Sequence, residues 1–225
     1  NAIAFELGIG HVIANVAPEG KVDALEKLRS NGRKLAFVGD GVNDAPALKK
    51  ADIGIAMGIR GTDVAKEASD MVLQDDEFGT IVVAVSHGRA IFENIRKFVV
   101  YLLSCNISEI IVVSLATLVS APLPLLPLQI LFLNLVTDVF PALALGVCEG
   151  APDLMQEKPR APQEEVVTRR HWQRIVIHGA IIAMTVLVAM AIAINYLEFS
   201  TARAVTVSFC TLALAQLWHV FNMRS

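Results

Sequence analysis

Gly39-Asp40-Gly41-Val42-Asn43-Asp44-Ala45-Pro46 decides the reading of the first third of the chain. The apolar run Lys34 to Val38 before it predicts a strand. Asn43 to Ala51 after it predicts a helix with Pro46 in its first turn, where a missing N–H costs nothing. The octet is therefore a strand-to-helix turn, and in open α/β sheets ligands bind outside the carboxyl ends of strands. Two glycines allow a sharp turn and close backbone approach. Asp40 and Asp44 set two carboxylates beside it, the oxygen donors that hold Mg²⁺ near a phosphoryl group. Asn43 can donate to a phosphate oxygen. Gly, Asn and Asp also favour plain turns, but a plain turn does not account for eight such residues between a strand and a helix.

Outward from the octet, short apolar runs alternate with helical stripes. His11 to Val16 predicts a strand. Glu19 to Ser30 predicts a helix with Val22, Leu25 and Leu28 on one face, stopped by Asn31-Gly32. Asp52 to Met57 and Met71 to Leu73 predict strands, and Thr62 to Ala68 a short helix. Strands alternating with helices imply a parallel sheet with crossover connections. The fold class expected for residues 1–85 is therefore α/β.

The composition changes beyond Phe78. The whole chain is 54% hydrophobic with 18% charged residues, too apolar for an ordinary soluble domain. Its charge concentrates in the first ninety-odd residues and in 149–174. The net charge of −3 gives no reason to expect nucleic acid as a partner. Between the charged parts lie four segments long enough for the ~20 residues that a bilayer crossing needs: 98–119, 128–148, 175–197 and 202–222. Residues 86–225 are thus expected to form an all-α membrane domain in a lipid bilayer. Lys158, Arg160, Arg169, Arg170 and Arg174 fall in 149–174, while 120–127 has no Lys or Arg. The positive-inside rule places 149–174 in the cytoplasm, and residues 1–97 on the same side. Cys105, Cys148 and Cys210 all lie in apolar stretches and form no CxxC pair, so they are expected to be buried apolar residues. The chain opens on Asn1 without a basic-then-apolar leader, which reads as the interior of a longer protein.

Polar residues inside the spans are costly and point to function. Asn106 and Glu109, at i, i+3, share one helix face. Asn134, Thr137 and Asp138 share another, and Pro141 just beyond should disturb the local helix. Interhelical hydrogen bonding explains Asn106 or Thr137, but Glu109 and Asp138 need a cation or a proton. Two carboxylates with neutral oxygen-bearing side chains suit a hard cation.

The octet resembles the signature of P-type cation-transporting ATPases within the haloacid-dehalogenase-like superfamily. The resemblance implies a partial haloacid-dehalogenase-like Rossmannoid sheet, the end of a phosphorylation domain. It implies Asp40 as the main Mg²⁺ ligand, Asp44 as a supporting carboxylate and Asn43 near the phosphate. Lys21, in Pro18-Glu19-Gly20-Lys21, would neutralise phosphoryl charge. Asn106-Ile107-Ser108-Glu109 and Asn134-Leu135-Val136-Thr137-Asp138 resemble the fifth and sixth helices of the calcium-pump branch, where these positions contribute to cation sites. In Leu214-Ala215-Gln216-Leu217, Gln216 stands where that branch has an acidic ligand, which puts a second calcium in doubt.

Glu6-Leu7-Gly8-Ile9 and His11-Val12-Ile13-Ala14 are similar to the heavy-metal branch, but no membrane Cys-Pro motif accompanies them. The family's phosphorylated aspartate, in DKTGT, has no counterpart here, and nothing resembles its nucleotide-binding or actuator domains. ATP and Mg²⁺ are expected as cofactors, ATP being bound mainly by remaining domains of a full-length pump. The expected function is ATP-driven transport of a cation, Ca²⁺ first, with Na⁺, K⁺, H⁺, Mg²⁺ or Mn²⁺ as alternatives. A membrane-tethered phosphatase or a non-catalytic remnant are the competing readings.

Overall fold

The computed structural model describes residues 16–29, 34–161 and 163–224. They fall into two compact units that divide between Ala84 and Val85.

The first unit contains helix α1 (Pro18–Arg29), strand β1 (Ala36–Gly39), a 3₁₀ turn (Val42–Asp44), α2 (Ala45–Lys50), β2 (Ile53–Met57), α3 (Asp63–Ala68) and β3 (Met71–Leu73). The strands form a parallel sheet in the order β1-β2-β3, with Val38 opposite Ile55 and Ala56 opposite Val72. Gly54, Ile55, Ala56 and Met57 of the central strand are all buried. Ala56 packs with Leu48 and Ala65 on one face, while Ile55 and Met57 pack with Leu73 on the other. Cover on both faces is what crossover helices give a parallel sheet. Thr62 caps α3 through its hydroxyl, which accepts from the Ala65 amide. Asp52 ties α1 to the sheet by accepting from Lys34 (2.8 Å), the Leu35 amide (3.1 Å) and Arg29 (2.8 Å). The Lys34 bond, then the amide and the Arg29 charge, hold its carboxyl below the usual range. The predicted strand over His11 to Val16 lies outside the described residues except for Val16, which is in no strand. The Asn31-Gly32 stop also lies outside them.

The second unit is helical. Helix α4 runs without a break over Gly79–Leu118, 40 residues, about 60 Å at 1.5 Å per residue. With no proline in it, the helix that contains the expected span 98–119 extends back unbroken to Gly79. After it come α5 (Pro127–Phe132), a π-helical segment (Leu133–Thr137), α6 (Val139–Gly146), α7 (Arg169–Asn195) and α8 (Thr201–Arg224). Four helical stretches are long and apolar enough to cross a membrane: Gly79–Leu118, Pro127–Gly146, Arg169–Asn195 and Thr201–Met223. Arg169, Arg170 and Arg174, read as loop residues, belong to α7. Thr168 at its N-cap exchanges hydrogen bonds with His171, and so sets the start six residues early.

The expected disturbance before Pro141 is the π-helical segment. The Asp138 amide reaches back five residues to the Leu133 carbonyl at 2.9 Å, and Pro141 has no N–H to offer the Thr137 carbonyl four residues before it. The cysteine expectation holds only in part. Cys105 is buried, Cys148 half-buried and Cys210 exposed, because the outer faces of spanning helices have no protein neighbour to cover them.

Val112, Leu125, Leu133, Val186 and Leu212 form one core of this unit; Tyr101, Cys105 and Leu145 form another. Helix α7 comes close to α4 at Gly179, where a Cβ would lie 2.9 Å from the Ile107 Cγ2 and 3.2 Å from the Ser104 carbonyl oxygen. Small residues permit such approaches between spanning helices. The segment 149–168 is fastened to α4. Arg89 donates to the Leu154 and Glu157 carbonyls at 2.9 and 3.0 Å, and Arg96 to Glu164 at 2.7 Å. Arg160 lies over the Phe92 ring at 3.8 Å. Gly179→Val should push α7 off α4 and cost ~1–3 kcal/mol by overpacking, read as a lower melting temperature of the detergent-solubilised protein. An unchanged melting temperature would mean that α7 does not depend on this contact.

Candidate functional site

Two clusters gather the candidate residues, one in each unit. In the first, β1 ends at Gly39 and the chain turns so that the Asp44 carboxylate folds back under the turn. Its Oδ2 accepts from the Asp40 amide at 3.2 Å and the Gly41 amide at 3.0 Å, and its Oδ1 accepts from Lys21 Nζ. Gly39 is required for this: a Cβ there would stand 2.6 Å from the Asp44 Cβ. Burial pushes the Asp44 carboxyl up, but the Lys21 hydrogen bond and charge and the two amides outweigh it, holding the group below its ordinary range.

Asp44 is buried, whereas Asp40 and Asn43 are exposed. The Asp40 carbonyl accepts from the Thr62 amide at 2.8 Å, which fixes its backbone. Its carboxylate makes no hydrogen bond or ion pair among the described residues. Lys21, Asp40 and Asp44 line one cleft of about 650 Å³, floored by Leu25, Val38 and Met57. Asn43 is not in that lining. As a donor set for Mg²⁺ the turn fits through Asp40, a free carboxylate at the mouth of a cleft. Both Asp44 oxygens are already engaged.

In the second cluster three helices meet at one carboxylate. Glu109 of α4 is buried. Its Oε2 accepts from Asn134 Nδ2 of the π-helical segment, and its Oε1 from Gln216 Nε2 of α8, each at 3.1 Å. Asp138 is buried one turn from Asn134, and its Oδ1 accepts from the Tyr101 hydroxyl at 3.4 Å. Asp138 Oδ2 and Gln216 Oε1 are buried acceptors with no donor among the described residues. Unsatisfied buried acceptors cost ~1–3 kcal/mol each, and two of them beside a buried carboxylate suit a hard cation.

Asn106 and Thr137 make no hydrogen bond to that cluster among the described residues. Asn106 donates to the Leu102 carbonyl of its own helix at 3.0 Å. Thr137 is half-buried and makes no side-chain hydrogen bond among the described residues. Gln216, though neutral, is fully buried and in direct contact with Glu109. His219 is a core residue, stacked on Tyr101 with ring centroids 5.9 Å apart.

Sequence reasoning missed Tyr101. Its signal was present, since Tyr101, Cys105 and Glu109 recur at intervals of four on the face that carries the carboxylate. It also missed Gly39 as the seat of Asp44, which only the fold discloses.

Comparisons with known proteins give the chain's relatives. Residues 122–225 match the family described as cation transporting ATPase, C-terminus, and residues 1–52 match haloacid dehalogenase-like hydrolase. A calcium-transporting ATPase of Bacillus subtilis is 50% identical over 96% of this chain and 24% of its own length. A P-type sodium-transporting ATPase4 of Toxoplasma gondii is 53% identical over 72% of this chain and 12% of its own length. A solved structure of the catalytic domain of the CPx-ATPase CopB-B is 42% identical, covers 37% of this chain and 33% of that one, and has a TM-score of 0.35. The chain thus spans about a quarter or less of the length of these curated relatives. The resemblance to P-type cation-transporting ATPases is borne out, and the four apolar helices are those of an integral membrane protein.

Asp44→Ala would free the Asp40 and Gly41 amides and unpair Lys21, at a cost of ~1–3 kcal/mol. Hydrogen exchange at those two amides should accelerate. In the unmutated protein the carboxyl is depressed below 3.8, so its stabilisation is present above that pH and lost as pH falls through the lower folded value. Amide protection that did not respond to acid would argue against this organisation of the turn.

Proposed function

We propose that this chain is part of an ATP-driven P-type pump that forms an aspartyl phosphate and carries Ca²⁺ across a membrane. It supplies the end of the phosphorylation domain and the helices that hold the ion. The observation that carries the proposal is the buried Glu109 carboxylate held by Asn134 and Gln216, with two acceptor oxygens left over beside it.

In this reading Glu109, Asn134, Asp138 and Gln216 bind the ion, and Asn106 and Thr137 join them after rotating away from their present positions. In the first unit Asp40 takes Mg²⁺, the Asn43 amide faces a phosphate oxygen, and Lys21 balances phosphoryl charge. Asp44 holds Lys21 and the turn in place. Phosphoryl transfer needs positioned charge above all, and this arrangement provides it. ATP and the phosphorylated aspartate belong to the rest of the pump. The four apolar helices span the bilayer, with 149–168 and the first unit on the cytoplasmic side. The matching calcium-transporting relatives support Ca²⁺ as the cargo.

A second reading, Na⁺, is favoured by one feature. Gln216 brings an amide rather than a charge to the site, which suits a monovalent ion, and a sodium-transporting relative also matches.

ATP-dependent uptake of ⁴⁵Ca²⁺ by the full-length pump in vesicles, with ²²Na⁺ in parallel, separates the two. Glu109→Gln and Asp138→Asn should each lower ⁴⁵Ca²⁺ uptake at least ~100-fold, as the loss of a charged ligand costs several kcal/mol. Uptake of ²²Na⁺ alone by an active enzyme would reject calcium. Gln216→Glu places a second carboxylate against Glu109 Oε1. It should raise Ca²⁺ affinity while destabilising the ion-free protein, because two carboxylates so close repel. Equal melting temperatures with and without Ca²⁺ in that variant would count against a shared ion.

A further inference from the structure

At one end of the helical unit α4, α7 and α8 leave a cavity of about 220 Å³ between them. Arg96, Lys97 and Val100 of α4 line it, with His171 and Arg174 of α7 and Asn222 and Met223 of α8; Glu93 is the single carboxylate in the lining. This is a different place from the cluster around Glu109, and none of its residues belongs to either candidate site. The floor is apolar: Val100 is buried and Met223 packs with the Tyr101 core.

The rim is cationic. Arg96 is paired with Glu164. Lys97 and Arg174 have no ion-pair partner among the described residues. Three cations face Glu93 and the Glu164 that holds Arg96, which leaves one net positive charge. Asn222 adds a neutral amide from the third helix. The apolar stretches of α4, α7 and α8 begin directly beside the cavity, so it lies at the boundary between headgroups and hydrocarbon.

From this geometry we propose that the cavity bounded by Lys97, Arg174, His171 and Asn222 binds the phosphate group of an anionic phospholipid. The inference rests on the membrane placement of these helices and not on the identity of the transported ion. Basic pockets between spanning helices on the cytoplasmic side hold phosphate headgroups, and one net positive charge matches a singly charged phosphodiester. The lipid is favoured over a soluble phosphate because the cavity has an apolar floor and opens beside lipid-facing helix surface, where acyl chains can follow the headgroup. Guanidinium and ammonium groups from two helices, joined by one lipid, would brace α4 against α7 on the side where segment 149–168 is fastened.

The test uses the full-length pump in phosphatidylcholine vesicles to which phosphatidylglycerol is added, with bound lipid counted by native mass spectrometry. Three proteins are compared: the unmutated pump, the double variant Lys97→Gln/Arg174→Gln, and the double variant Arg169→Gln/Arg170→Gln. The last removes two exposed cations from the same helix outside the cavity. Loss of two headgroup cations should weaken phosphatidylglycerol retention about tenfold or more in the first double variant only, and a further protein that carries Lys97→Arg alone, with both cations kept, should retain the lipid like the unmutated pump. Equal weakening in both double variants would reduce the effect to general surface charge and overturn the proposal. Unchanged retention in the cavity variant would do the same, as when another segment of the full-length chain fills the space. Displacement of the lipid by millimolar glycerol 3-phosphate would assign the cavity to a soluble phosphate instead. Lipid counting does not depend on which cation is pumped, so failure here and failure of the transport reading are separable.

Discussion

A carboxylate buried among spanning helices must find donors, a proton or a cation, because the hydrocarbon around it supplies none. Glu109 meets that constraint with one amide from the π-helical segment and one from α8. Those two bonds determine which faces of three helices turn inward. They bring Asp138 alongside, and Asp138 in turn sets the position of Tyr101. The close passage of α7 over α4 at Gly179 supports the same convergence from the opposite side. The amides satisfy Glu109 yet leave acceptors of their own neighbourhood unfilled, so the cluster is held together and still has oxygen to offer.

The first unit solves a related problem with the opposite outcome. There, a buried carboxylate is saturated. Asp44 accepts from two backbone amides and a lysine, so both of its oxygens are engaged. Its neighbour Asp40 keeps a free carboxylate because Asp44 carries the structural work of the turn. Two aspartates four residues apart thus divide the tasks of shaping a loop and offering charge.

Much of this could be read in the sequence, for physical reasons that differ by element. The strands and short helices of the first unit were legible because their apolar periods are clear and because Thr62 and Pro46 mark helix starts. The spans were legible from hydropathy, and the inward faces from i, i+3 and i, i+4 spacing of Asn106, Glu109, Asn134 and Asp138. Helix ends were less so: α7 starts at Arg169 because a Thr168–His171 exchange caps it, and hydropathy does not register caps. Which polar side chain meets which was not legible at all. Asn106 and Glu109 share a face, yet Asn106 bonds to its own helix while Glu109 reaches two others. Spacing along one helix gives direction, and only packing between helices gives partners. Gln216 illustrates this, since its contact with Glu109 joins residues 107 positions apart.

The π-helical segment has a consequence for how this protein tolerates change in length. A π-turn holds one residue more than an α-turn in the same stretch of axis, so the segment stores a surplus residue between Phe132 and Asp138. Losing one residue there would let the stretch wind back into an α-helix with both flanks in phase, at little cost to the backbone. The same loss in α4 between Gly79 and Glu109, which has no surplus, would rotate everything beyond it by about 100° relative to what precedes it and turn Glu109 away from the face it now shares with the start of the helix. The stretch Leu133–Thr137 can therefore absorb a one-residue deletion that α4 cannot, and it does so at the point where its side chains meet the buried carboxylate.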